Sequence, residues 1–148
     1  MRSLVVTVAW LLACSSVSAC EILVFDQHGG LLRKGLALAP GQTVELSYLH
    51  SVTHSIVRET LAADAKGFTQ QQIEFSEPGP GLPDQALPGE EFVRLSDRFV
   101  FRNMNRPIGV LNMRVDPAQQ QQMTAGSTVV ALTQWGPRAL RLAAHNCQ

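Results

Sequence analysis

At 148 residues with 45% hydrophobic content, the chain is long enough for one domain with its own core and too short for two ordinary ones. Lys plus Arg equals Asp plus Glu at 12 each, so no basic excess is available to follow a phosphate backbone. The balance argues against DNA, RNA and anionic membrane surfaces as partners.

Met1-Arg2-Ser3 and the apolar run 4–13 lead to Val17-Ser18-Ala19 before Cys20. One positive charge, a short apolar stretch and small residues at its end predict a signal peptide over 1–19, removed on export to the periplasm or the outer face of a membrane. The run falls short of the roughly 20 apolar residues that span a bilayer. The mature domain is then 20–148. Cys14 falls within the signal, while Cys20 and Cys147 bracket the mature chain, and an exported protein favours a disulfide between them. A rival reading exists: Val-Ser-Ala-Cys at 17–20 and Leu-Leu-Ala-Cys at 11–14 both resemble the lipobox of bacterial lipoproteins, whose cysteine is acylated.

Along the mature chain, turn residues recur at short intervals between alternating or β-branched runs. Strands are expected near 22–26, 32–38, 43–50, 56–62, 68–75, 92–102, 108–115, 127–134 and 140–144. The predicted fold is all-β, an antiparallel sandwich or small barrel of eight or nine short strands. One helical turn is expected over 117–123, with Asp116 capping and Pro117 at the first position, and the glutamines 119–122 are read as a solvated turn. The segment 76–91, with four prolines and three glycines, reads as a long ordered loop crossing the end of the sheet. Arg94, Arg98, Arg102 and Arg106 recur every four residues, but Phe92, Phe99 and Phe101 favour strands interrupted at Ser96-Asp97, with the arginines on a solvated edge. Trp135 and Met104, Met113 and Met123 read as core fillers. His28 and His145 read as surface residues.

The most distinctive stretch is Tyr48-Leu-His50-Ser51-Val-Thr-His54-Ser-Ile-Val57-Arg-Glu59. Val44, Leu46, Tyr48 and His50 alternate on one strand face, and Val57, Glu59 and Leu61 alternate on the next, which places a carboxylate among core residues. With a two-residue turn at Thr53-His54, Tyr48 lies opposite Glu59 and His50 opposite Val57, so that hydroxyl, imidazole and carboxylate can satisfy one another. Three readings follow. The groups form a buried structural network, with Glu59 accepting from Tyr48, His50 or the amides of the glycine-proline loop. Alternatively they line a pocket for a small polar ligand. In the third, Ser51 is the nucleophile of a hydrolase, with His50 or His54 as base and Glu59 as orienter. Adjacent strand residues point to opposite faces and no Gly-x-Ser-x-Gly elbow is present, so the spacing favours binding over catalysis. His50, His54 and Glu59 match the ligand count of an open zinc site but not its common spacings, and no cofactor or metal is expected.

Three motifs resemble the bacterial family known as domain of unknown function 1850: the aromatic-x-His-Ser-Val of Tyr48 to Val52, the Val-x-Glu of Val57 to Glu59, and the Gly-x-Gly-Leu-Pro loop of Gly79, Pro80, Gly81, Leu82 and Pro83. Pro80 stands where the family pattern has alanine, and His54 where it varies. The family has no established activity. Its members are often encoded beside tripartite solute transporters of the TRAP type with a TAXI-class binding protein. The resemblance therefore implies an envelope accessory module, with the permease or its solute-binding protein as partner. The expected site is Tyr48, His50, Ser51, Glu59, Gly79, Gly81, Leu82 and Pro83.

Overall fold

Short alternating runs punctuated by glycine and proline cannot build helices, and the computed structural model, which describes residues 20–147, is a β-sandwich. Its strands are β1 (Cys20–Asp26), β2 (Leu31–Leu38), β3 (Val44–Leu49), β4 (Ile56–Asp64), β5 (Gly67–Phe75), β6 (Glu91–Arg94), β7 (Phe99–Arg102), β8 (Arg106–Gly109), β9 (Leu111–Val115), β10 (Gln122–Ala125), β11 (Thr128–Ala131) and β12 (Arg138–His145). A four-stranded sheet runs β2-β1-β12-β9 and an eight-stranded sheet runs β11-β10-β3-β4-β5-β7-β6, with β8 also paired to β5. Every pairing is antiparallel. The sheets stack and do not close, so the sandwich alternative holds and the barrel does not. The expected signal peptide and Cys14 lie outside the described residues.

There are more strands than the eight or nine expected, because two long runs divide and β10 forms where the end of the helical turn was expected. The run over 92–102 folds back at 95–98, where the Leu95 amide donates to the Arg98 carbonyl at 2.9 Å, giving the β6–β7 hairpin. The run over 108–115 breaks after Gly109, whose φ of +71° suits glycine, and the chain crosses from β8 in the large sheet to β9 in the small one. The helical turn is a 3-10 helix confined to Pro117–Gln119, with the Asp116 carboxylate accepting from the Ala118 amide. It ends before 123 because Gln120 turns left-handed (φ 50°) and Gln122 already pairs with Ala131 and Ser47. The expectation of a solvated glutamine run fails at Gln121. That side chain is buried, donating to the Arg114 carbonyl at 2.9 Å and accepting from the Asp116 amide at 2.8 Å. Burial with both ends of the amide satisfied fastens the turn to β9.

Two cores result. Between the sheets lie Ile22, Val24, Leu36, Leu38, Leu140 and Leu142 from the small sheet and Val44, Leu46, Leu61, Phe68, Met123 and Val130 from the large one. Trp135 and Met113 pack at its margin. The second core, Val57, Ile73, Phe75, Phe101 and Met104, comes from the large sheet and the segment just after β7, and Leu82 of the long loop packs on it. Cys20 and Cys147 form a disulfide across the ends of β1 and the chain. A Cys20 sulfur bonded to Cys147 has no valence left for a thioether lipid.

Candidate functional site

β3 ends at Leu49 and β4 begins at Ile56. The strands pair Leu46 with Glu59 and Tyr48 with Val57, two residues displaced from the expected register. The displacement follows from a longer turn. The His50 amide donates to the Ser55 carbonyl at 2.8 Å and the His54 amide to the His50 carbonyl at 2.9 Å, so the loop spans 51–54 rather than Thr53-His54 alone. His54 takes φ 54°, and Thr53 and Ser55 join their hydroxyls at 2.8 Å. A shift of two keeps each residue on its face, whereas a shift of one would have turned Glu59 outward.

The buried His50 ring folds back under its own loop. Its Nδ1 accepts from the amides of Val52 (3.3 Å) and Thr53 (3.2 Å). A nitrogen accepting from two amides carries no proton, so the proton sits on Nε2, which donates to the Pro80 carbonyl at 3.0 Å. That bond joins the first motif to the third. The loop arrives as a turn in which the Leu82 amide donates to the Gly79 carbonyl at 3.1 Å, with Pro80 and Gly81 central and Gly81 at φ +84°. Proline then glycine is what a type II turn requires. At Gly79 a Cβ would lie 2.9 Å from His50 Cε1 and 2.8 Å from a Thr53 methyl, so only glycine lets the loop close on the ring. Leu82 then enters the second core, and Pro83 is half-buried beside it in sequence.

Glu59 forms a separate network. It is half-buried between the fully buried Val57 and Leu61, and its two oxygens accept from the Tyr48 hydroxyl (2.8 Å) and the Gln70 amide (2.7 Å). Burial first, then the adjacent carboxylate and its hydrogen bond, push the Tyr48 phenol above its ordinary value. Gln70 was not among the expected site residues. It reaches the inner face because β5 carries a bulge: Thr60 pairs with Gln72 and Leu61 with Gln70, so Gln71 is skipped. The alternation Phe68, Gln70, then Ile73, Phe75 is the trace of that bulge. His50 makes no hydrogen bond to Glu59, so the expected three-way network is in fact two networks on one sheet.

A third contact pins the other end of the long loop. Arg106, cross-strand from Gln70, donates from Nε and Nη2 to the two Glu90 oxygens at 2.7 Å each, and Glu90 also accepts from the Leu87 amide at 3.0 Å. The Glu90 side chain is 5% exposed. The Arg106 hydrogen bonds, then that of Leu87, hold its carboxyl below the ordinary value. Arg106 is therefore a partly buried clamp and not a residue of a solvated edge, while Arg94, Arg98 and Arg102 are exposed as expected.

Ser51 is exposed and makes no hydrogen bond to His50, whose two nitrogens are both occupied by backbone partners. His54 is exposed on the same loop. The site is thus a clasp of two loops at one end of an antiparallel β-sandwich, with chemistry suited to holding shape. The chain belongs to the family whose model matches residues 44–132, more than half of its length: Domain of unknown function (DUF1850). The matched span contains all three motifs, and comparison with curated proteins and with solved structures gives no match.

Proposed function

We propose that the chain is an exported accessory module of the cell envelope whose clasped loops present a rigid tip to a protein partner, the permease or solute-binding protein of a TRAP/TAXI-type transporter. The observation that carries the reading is the His50 clasp. Three bonds from one buried ring fix the 51–54 loop against the 79–82 turn, while Ser51, Val52, Pro80 and Gly81 remain exposed, Val52 at 62%. A pre-ordered apolar projection loses little conformational entropy on docking, which is how a small contact acquires specificity. The Cys20–Cys147 disulfide supports an oxidising compartment, and lipidation, if it occurs, belongs at Cys14.

Purification of a tagged chain from its native envelope tests this. The wild type should retain a membrane or periplasmic transport component that Val52→Asp loses while keeping the same melting temperature; equal recovery with both would contradict it. A purely structural role for the polar groups is the second reading. It is favoured by the fact that, among the described residues, no buried side-chain nitrogen or oxygen lacks a hydrogen-bond partner. The hydrolase alternative asks more of His50, which would have to release a backbone partner before accepting a proton from Ser51.

A further inference from the structure

Residues 117–137 contain no Asp, Glu, Lys, Arg or His, the longest such run in a chain where 16% of residues are charged. This run builds both 3-10 helices, β10 and β11, so the β10–β11 edge of the large sheet is made without charge. Soluble surfaces normally intersperse both signs, and depletion of charge marks the centre of a protein interface.

The sheet edges sharpen the point. An edge strand offers unpaired amides and carbonyls, and natural sheets guard such edges with charge, proline or bulges. Among the described residues the edges are β2, β9, β6, β8 and β11. β2 carries Arg33, β9 carries Arg114, β6 carries Glu91 and Arg94, and β8 carries Arg106 and Pro107. β11, Thr-Val-Val-Ala, carries none of these, and its Val129 is 62% exposed. It is β-branched, flat in composition and unguarded.

We propose that β11 pairs with β11 of a second copy of this chain, antiparallel about a two-fold axis, joining the two large sheets into one. A neutral edge meets no like-charge repulsion on meeting itself, and it carries no charge with which to select a different partner. Two-fold antiparallel pairing matches residues on the same face. Val129 shares the outer face with Thr124, and Val130 faces the core. The register centred on Val129 sets it against its own copy and Thr128 against Val130, the cross-strand β-branched pairs that sheets favour.

Sedimentation equilibrium of the mature chain, with its disulfide intact, tests the pairing. The wild type should be a dimer, and Val129→Lys and Val129→Glu should each weaken dimerisation by about tenfold or more, because each sets like charges directly opposite. Both substitutions sit at an exposed position, and an unchanged melting profile of the monomer shows that the fold survives. Mixing the two variants should restore a heterodimer, since Lys then faces Glu. A wild type that stays monomeric up to about 1 mM, the weak limit of specific association, overturns the proposal. So does dimerisation that survives both substitutions, or failure of the mixed variants to recover. A monomeric wild type from which Val129→Lys removes a co-purifying envelope protein overturns it in favour of a different chain.

Discussion

His50 spends both ring nitrogens on backbone atoms, and this decides what the residue can do. Its Nε2 is 3.0 Å from a carbonyl 30 positions along the chain, so the histidine acts as a rivet between loops. That partner was not legible in the sequence, because a backbone acceptor leaves no mark on residue identity; only the invitation at Gly79, where any Cβ would strike the ring, hints at it. The Tyr48–Glu59 pair was legible, since both residues interrupt apolar alternation and a half-buried carboxylate requires a donor. Tyr48 is the one tyrosine in the chain, so tyrosinate absorbance reports this site alone. Its raised folded value means that its contribution to stability is complete below the ordinary 10.0 and is lost as pH rises through the folded value. Ultraviolet titration should therefore show no ionisation of Tyr48 near pH 10, with tyrosinate appearing only at higher pH. Glu59→Gln should move the transition back toward 10.0, and an unshifted curve in both proteins would remove the network.

The long loop is an element held at three points: Pro80 by His50, Leu82 in the second core, and Glu90 by Arg106. Its proline and glycine content announced an ordered connector, while the type II turn at Pro80-Gly81 emerged only with the structure. The Glu90–Arg106 fork could not, because the spacing of the arginines pointed to a surface stripe and nothing local separates Arg106 from Arg102. The hairpin register was missed for a related reason. Thr53-His54 offers no strong two-residue turn signal, and the loop closes through His50 and Ser55 instead. Gln70 was concealed by the β5 bulge, which changes which residues face inward without changing composition.

Glu90 makes a prediction at this scale. Its carboxyl is held below the ordinary 4.5, so it contributes stability above that pH and loses it as pH falls through the lower folded value. Melting temperatures recorded from about pH 6 to about pH 3 should therefore fall less steeply for Glu90→Gln than for the wild type. The variant should start from a lower value near neutrality, because an amide cannot replace the fork on Arg106. Glu91 and Asp26, also held low, keep part of the acid slope in the variant. Parallel curves would mean that the fork does not contribute.

At the scale of the whole molecule, two layers enclose the first core, and the second core lies on the part of the large sheet that the small sheet leaves to Leu82 and the long loop. Antiparallel β class and the disulfide were readable from turn spacing and from the placement of two cysteines at either end of the expected mature domain. The crossing of the chain between sheets at Gly109 was not, since an apolar run does not reveal which sheet each half joins. The disulfide closes a separation of 127 residues, for which chain entropy gives a contribution of roughly 4 to 5 kcal/mol. Paired Cys20→Ser and Cys147→Ser substitutions should lower the urea midpoint accordingly while leaving Tyr48 protonated near pH 10. A midpoint unchanged by the double substitution would show that the ends of β1 and β12 are held by their pairing alone.

Photo-crosslinking in intact cells, from a probe at position 52 with a second probe at position 92 on the β6 edge, tests the docking role of the clasped tip most directly. The prediction is a discrete adduct with one envelope transport protein from position 52, absent from position 92, and lost when His50→Ala frees the loops in a protein that remains folded. No adduct at 52, or the same adduct from both positions, would contradict it.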